Sequence, residues 1–412
     1  MKKDATLIKL KNIQTNHIVN LPEDKTWKKY SRLWGDWMHR ICSYVAMFSP
    51  ALADHFINEY APNEGDIVLD TFSGRGTTLL QARILNKKAY SVDLNPFAYV
   101  LTRAKAKSFR EDEIISRVNK WELEYLKTKN SLLNLNCINQ DLKVYYSDIN
   151  LRQLLFIKKM YGEDFKNLSD EDNFILAITL GILHGPMKKS GESIYLSLHM
   201  SNHTSMSVNY VKNYALKHNL IKPEDNIFDK IRNRVRHILK KSKFYENKAE
   251  VKLGNALNIS EYFNIVPKLV FTSPPYLNII NYTQQNWLKM WMLGFDTRED
   301  NKNLKLDDRH NINEYKNFML QYLSNISEIC NKDSTIILVI GDVKKSEKIN
   351  YSFEKIWNDF KHLTDLKLIK IYEDNIQQKL KATNSMGTKS GKATRVDKIY
   401  VFKKNILQSH FR

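Results

Sequence analysis

The pentapeptide Thr272-Ser273-Pro274-Pro275-Tyr276 closes a short apolar run, Lys268-Leu-Val-Phe-Thr272, with the make-up of a buried parallel strand. Two prolines directly after a strand end it, because proline has no N–H for the ladder and fixes its own φ. The strand tip becomes a rigid loop that offers a hydroxyl, a free carbonyl and an aromatic ring. In an open α/β sheet, ligands bind at such tips. A strand terminus with an ordinary proline turn is the plain alternative, and the pentapeptide alone does not decide between them.

A second constellation lies far upstream. Asp66-Ile-Val-Leu-Asp70 reads as a strand, and Thr71-Phe72-Ser73-Gly74-Arg75-Gly76-Thr77 as a glycine-bearing turn. Thr77 or Thr78 is placed to cap a helix through Leu80, Ala82, Ile84 and Leu85. Ala89-Tyr-Ser-Val-Asp93 is a second strand with an acid at its carboxyl end. Gly74 and Gly76 permit a tight turn and close backbone approach to a ligand. Asp93 sits where an acid reaches ribose hydroxyls. There is no third glycine of a dinucleotide fingerprint and no Gly-Lys-Ser/Thr of a phosphate-cradling loop. Strand, turn, helix, strand and terminal acid together make one βαβ half of a doubly wound α/β fold.

The elements that must position these two tips span the whole chain. Residues 1–25 are polar and weakly patterned, a loose arm. Trp27, Trp34 and Trp37 stand among basic residues and serve either to stack on bases or, more commonly, to anchor the segment on a core. Residues 38–60 read as a helix in two pieces, broken at Ser49-Pro50. Between residues 105 and 249 the α/β alternation is lost, and the insert carries a helix at 172–184. It also carries the small-polar loop Ser201–Ser207 and a basic amphipathic helix over Asp225–Lys241. That helix is either a solvated face or a phosphate-contacting one. Strand patterning resumes at Glu250, with a buried strand at Thr335–Ile340, helices near 286–294, 312–330 and 351–362, and a final antiparallel pair over Asp365–Tyr372 and Lys398–Phe402. The linker at 381–395 is rich in Lys, Ser, Thr and Gly and is expected to be mobile or substrate-facing. The division is thus 1–104, 105–249 and 250–412.

Composition narrows the partner. Lys+Arg number 64 against 45 Asp+Glu, a net charge of +19, which favours a polyanionic partner, most simply nucleic acid. A lysine-rich genome is the competing cause of the same excess. Cys42, Cys137 and Cys330 are scattered, odd in number and in no metal-ligand spacing, as in a reduced cytoplasmic protein. His184, His199 and His203 are likewise dispersed, so no metal site is expected. No apolar stretch is long enough to span a bilayer, and Met1-Lys-Lys-Asp begins no secretory signal.

Asp70-Thr-Phe-Ser-Gly-Arg-Gly-Thr77 together with Thr272-Ser-Pro-Pro-Tyr276 resembles the amino-methylating DNA methyltransferases, which use S-adenosylmethionine (SAM). The resemblance covers most of the chain outside residues 105–249. It implies a doubly wound, mostly parallel, seven-stranded, Rossmann-like methyltransferase sheet, with the mainly helical insert as target-recognition region. It implies that Asp70, Phe72, Ser73, Gly74, Gly76 and Thr77, with Thr272, form the SAM site around the methionine part. It gives Asp93 the ribose, Ser273, Pro274, Pro275 and Tyr276 the target base, Trp287 the aromatic helix beyond, and Arg395 a DNA contact. The segment at Ser49-Pro50 resembles the family's additional cofactor-binding motif. Asn255 stands where the family often has an acid for the adenine; here it is an amide. Serine at 273 is typical of cytosine-N4 enzymes, whereas aspartate or asparagine there is typical of adenine-N6 enzymes. The implied partner is double-stranded DNA, with a cognate restriction endonuclease acting separately.

The groups suit that chemistry. An exocyclic amine is a poor nucleophile because its lone pair is delocalised into the ring. Acceptance of its two protons by the Ser273 hydroxyl oxygen and the Pro274 carbonyl would orient it for in-line attack, with Tyr276 stacked on an extruded base. No cysteine follows a proline, as ring-carbon methylation would require. Adenine-N6 methylation, an RNA or protein-glutamine methyltransferase, and a non-catalytic DNA-binding protein are the alternatives that the residues leave open.

Overall fold

Strand Thr335–Lys344 shows how this sheet is assembled. Ile336, Leu338 and Ile340 alternate with Ile337 and Val339, all are buried, and the two sets enter different hydrophobic clusters. A strand apolar on both faces needs helices on both sides. The helices Pro50–Tyr60 and Thr77–Ile84 cover one face with Phe56 and Leu79. The helices Ile312–Glu328 and Phe353–Phe360 cover the other with Tyr322 and Trp357. The computed structural model describes residues 8–21, 35–45, 47–128, 139–188, 192–275, 282–295, 304, 306, 310–344, 350–375 and 392–405. Among these, no helix is long and apolar enough to cross a membrane.

The strands are β1 (Ile8–Asn12), β2 (Ile18–Leu21), β3 (Ile67–Asp70), β4 (Lys88–Asp93), β5 (Glu250–Leu253), β6 (Leu269–Thr272), β7 (Thr335–Lys344), β8 (Asn350–Tyr351), β9 (Leu366–Asn375) and β10 (Lys392–Lys404). They form one sheet in the order β2-β1-β9-β10-β7-β6-β3-β4-β5, with β8 on β7. From β7 to β5 the neighbours are parallel; β10 runs antiparallel between β7 and β9. The chain leaves β3 for β4 and β5 on one side, then returns to lay β6 and β7 on the other. The carboxyl ends of β3 and β6 therefore meet at the switch point where such sheets bind ligands. Seven strands, β5 to β9 along this path, make the expected doubly wound sheet.

Several expectations are corrected. The N-terminal arm is instead a hairpin: β1 pairs with β2 and with β9, and Ile8 and Leu10 are buried. The first piece of the expected helix at 38–60 shrinks to one 3₁₀ turn, Trp37–Arg40, and the second starts at Pro50, capped by the Ser49 hydroxyl. Neither Thr77 nor Thr78 caps a helix. Gly76 is the N-cap and gives no side-chain bond, while Thr78 Oγ1 donates to the Phe271 carbonyl. The end of the supposed linker, residues 392–395, belongs to β10. Trp27, Trp34, Cys137, Tyr276, residues 381–391 and the side chain of Arg395 lie outside the described residues.

The chain between β4 and β5 is helical. Glu111–Thr128, Asp170–Ile182 and Ile227–Leu239 pack together through Val118, Trp121, Phe174, Ile231 and Val235, and their cluster reaches Phe97 and Leu101 beside the sheet. Asp172 fastens the group, accepting from Arg117 Nε at 2.7 Å and Trp121 Nε1 at 2.8 Å. The basic helix 227–239 is largely neutralised from within. Arg232 pairs with Glu122 and Asp229, Lys230 with Asp225, and Arg234 donates to the Arg40 carbonyl. Trp37 is held between Arg40 and Lys241, whose cations lie 4.1 and 4.3 Å from its ring, which anchors the N-terminal segment.

Arg83 ties the returning insert to the sheet. Fully buried, it donates to the carbonyls of Lys105 (2.6 Å), Asn247 (2.9 Å) and Tyr245 (3.1 Å). Burial pushes its pKa down to about 10, so it remains charged. Arg83→Met strands these carbonyls and is expected to cost about 3 kcal/mol, read as a lower urea midpoint at unchanged slope.

Candidate active site

The glycine turn leaves β3 at Asp70 and enters helix Thr77–Ile84. Gly74 and Gly76 have φ of +52° and +75°, a region that side chains avoid. The two glycines are needed for different reasons. A Cβ on Gly76 would lie 3.0 Å from Cα of Thr102, so this glycine lets helix Pro96–Arg103 approach. A Cβ on Gly74 would meet only the Tyr44 ring at 3.4 Å, and Gly74 faces the cleft. The turn is fixed to β4: Ser73 N donates to Val92 O at 3.3 Å and Gly74 N to Asp93 Oδ2 at 2.8 Å. From behind, buried Lys105 donates Nζ to the Arg75 carbonyl at 2.6 Å, and burial lowers its pKa to about 7.

The second tip is latched to the first. Thr272 Oγ1 donates to Asp70 Oδ1 at 2.6 Å and accepts from Phe72 N at 3.0 Å. Phe72 N also lies 3.2 Å from Asp70 Oδ1. One buried hydroxyl thus joins the end of β6 to the end of β3 and to the first residues of the turn. Beyond it, Ser273 Oγ donates to Val339 O on β7 at 2.8 Å. The Ser273 proton is thereby engaged, so towards a ligand the oxygen can act only as an acceptor.

Between the tips lies an open cleft, lined by Phe72, Ser73, Gly74, Thr77 and Asp93 from one side and Ser273, Pro274 and Pro275 from the other. Of the residues anticipated from sequence, these eight share one cleft. Asp70, Gly76 and Thr272 do not line it and act as its frame. Asn255 also stands off it: its Oδ1 accepts from Leu257 N at 2.9 Å, capping a 3₁₀ turn, and its neighbour Ala256 faces the cleft. Trp287 opens helix Trp287–Met292 and packs edge-on against Tyr145, away from the lining. His184 is buried and bridges Ser201 O and Ser205 Oγ, a structural role.

Sequence reasoning missed Tyr44, Met47, Phe48, Leu94, Asn95 and Tyr282 in the lining. Tyr44 stands between Phe97 and Tyr282, stacked at 5.4 and 5.9 Å, and its hydroxyl accepts from Asn95 Nδ2 at 3.2 Å. Met47 and Phe48 directly precede Ser49-Pro50, so the segment resembling an additional cofactor motif does border the cleft. The aromatic spacing before Ser49 was the available signal.

Asp70 of the frame and Asp93 of the lining are both desolvated. Burial raises Asp70 to about 7, against the hydrogen bonds from Thr272 and Phe72 that favour its anion. Burial raises Asp93 to about 6, against the amides of Asn95 and Gly74. The folded protein keeps these protons at pH values where the unfolded chain has lost them. Their contribution to stability is therefore full below about pH 4 and falls as pH rises towards 7. Asp70→Asn removes the larger share of the two: its urea midpoint is expected to change with pH between 5 and 8 differently from that of the wild type, by the loss of the Asp70 fall.

Residues 2–103 match the family model of a DNA methylase, N6_N4_Mtase. The chain is 22% identical over 388 residues to the Type II methyltransferase M.MjaII of Methanocaldococcus jannaschii, covering 76% of this chain and 73% of that protein. It is 23% identical over 357 residues to the Type II methyltransferase M.BsoBI of Geobacillus stearothermophilus, covering 78% of this chain and 66% of that protein. Among solved structures, TrmN from Thermus thermophilus is 9% identical and covers 87% of this chain and 49% of that one at a TM-score of 0.33, too slight a likeness to add to the strand order. The family match runs from residue 2 to the end of helix Pro96–Arg103 and takes in the whole glycine turn and Asp93, so over this segment the chain is similar to the N6/N4 DNA methylases.

Proposed function

We propose that the protein transfers a methyl group from SAM to the exocyclic N4 amine of a cytosine extruded from duplex DNA, as the modification enzyme of a restriction-modification system. The observation that carries this reading is the Ser273 hydroxyl: it lies at the rim of the cleft that also holds Gly74 and Asp93, with its proton given to Val339 O. A hydroxyl so engaged is an acceptor, which is what an amine N–H requires.

The cleft suits the donor. Gly74 has no Cβ to fill the approach to the turn, Asp93 reaches the cleft at the end of β4, and Phe48, Leu94 and Ala256 supply apolar wall. In this reading Asp93 holds the ribose hydroxyls, and the Phe72–Gly74 backbone holds the methionine part. Bound there, SAM supplies an electrophilic methyl on a sulfonium. Ser273 Oγ and the Pro274 carbonyl accept the two amine protons and turn the nitrogen lone pair towards the turn. Tyr276 stacks on the base. The new N–C bond forms as the methyl–sulfur bond breaks, and one amine proton leaves to water through the open cleft. Catalysis is by positioning, since neither rim group changes covalently. The base must first leave its stack, at about a few kcal/mol. In the same reading the insert at 105–249 finds the target.

Four outcomes are expected. Nucleosides from DNA methylated by the enzyme contain N4-methylcytosine; N6-methyladenine alone would refute the choice of base. Ser273→Ala lowers turnover about ten- to a hundredfold with SAM affinity intact, and Tyr276→Ala also loses turnover at normal SAM affinity. Asp93→Ala behaves the other way, weakening SAM binding in a titration about tenfold or more.

A further inference from the structure

The net charge of +19 favours a polyanionic partner, yet helix 227–239 spends most of its cations on internal pairs. Another element does not. From Ser193 to Pro223 the sequence has no aspartate or glutamate, in a chain with 45 of them among 412 residues. The centre of that stretch is helix Val208–Lys217, in which Val211 is the one buried residue. At 100° per residue, the face opposite Val211 is centred on Asn209 and Asn213, one turn apart. Lys212 and Lys217 flank them, and Leu216, 67% exposed, lies between Lys212 and Asn209. Neither lysine has an ion-pair partner, and neither asparagine side chain a hydrogen bond, among the described residues.

Asparagine is a poor choice for an exposed helix interior on stability grounds, because its side chain competes for backbone groups. Two of them without local partners, framed by unpaired lysines, form a surface whose polar groups are all unspent. Asparagine amides pair in bidentate fashion with the major-groove edge of adenine, and lysine serves guanine edges or phosphates.

The helix is also hung beside the cleft. Its N-cap Ser207 ends the loop 201–207, whose Ser205 N donates to Gln285 O at 2.7 Å, three residues beyond cleft-lining Tyr282. Lys289 Nζ donates to Asn202 O at 3.4 Å and Tyr145 OH to Met206 O at 2.9 Å, so the loop is fixed from three sides.

We infer that helix Val208–Lys217 is the base-reading helix: it enters the major groove of duplex DNA next to the extruded nucleotide, with Asn209 and Asn213 on base edges and Lys212 and Lys217 on the flanking phosphates. The inference rests on the DNA-methylating reading above and names which part of the insert chooses the site.

The test uses the full-length protein with SAM and a plasmid library, read by single-base-resolution methylation sequencing. Alanine improves helix propensity, so Asn209→Ala/Asn213→Ala is expected to keep the helical circular dichroism signal and the SAM affinity. It should lose about tenfold or more in kcat/KM on the preferred site, and its consensus should relax at one or two base pairs. Lys212→Ala/Lys217→Ala should weaken binding to all sequences alike and make its salt dependence shallower. A wild type that methylates DNA beside an asparagine variant with the same sites and rates overturns this inference alone. So does a variant whose subunit association in sedimentation changes while its target does not, since the face would then bind a second copy. A wild type that methylates no DNA overturns the parent reading and this one with it.

Discussion

The site depends on one hydrogen-bonded latch, Asp70–Thr272–Phe72. β3 and β6 are adjacent in the sheet, yet at their carboxyl ends the ladder stops and the backbones part towards different loops. A 2.6 Å bond from the Thr272 hydroxyl to a buried carboxylate, and a 3.0 Å bond from the Phe72 amide to the same hydroxyl, hold the loops in register where the ladder no longer can. The acid is costly in this setting, since Oδ2 is buried with no hydrogen-bond partner among the described residues. A carboxyl group shielded from water makes stronger bonds to its remaining partners, and a specific junction results. Everything that defines the cleft, from the bare Cα of Gly74 to the Ser273 hydroxyl, is placed relative to this point.

The frame and the cleft divide the motif residues between them. Gly76, Asp70 and Thr272 look like ligand residues in the sequence because they are inseparable from Gly74, Phe72 and Ser273 along the chain. In space they face the other way, into helix 96–103 and between the strands. Ser273 draws on a third strand, through the Val339 carbonyl of β7. Three neighbouring parallel strands therefore converge on one rim.

What could be read from the sequence follows from how local each constraint is. Glycines at positive φ and paired prolines after a strand impose their geometry within a few residues, so both tips and the βαβ unit were legible. Tyr44, Asn95 and Tyr282 were not, because an aromatic residue in a helical or loop pattern gives no sign of which cavity it borders; that is decided by contacts across the fold. The Ile8–Leu21 hairpin was missed for a related reason. Its alternation is short, and its partner β9 lies at the far end of the chain. The basic face of helix 227–239 was visible, but the carboxylates that neutralise it, Glu122 and Asp229 above all, show themselves as partners only after folding.

The position of β10 has a consequence for folding. This strand fills an interior slot between β7 and β9, and β9 in turn carries the β1–β2 hairpin. Until β10 is in place, β7 and β9 present unpaired edges to a gap, and the sheet is closed only by pairings of long sequence separation, the slowest kind to form.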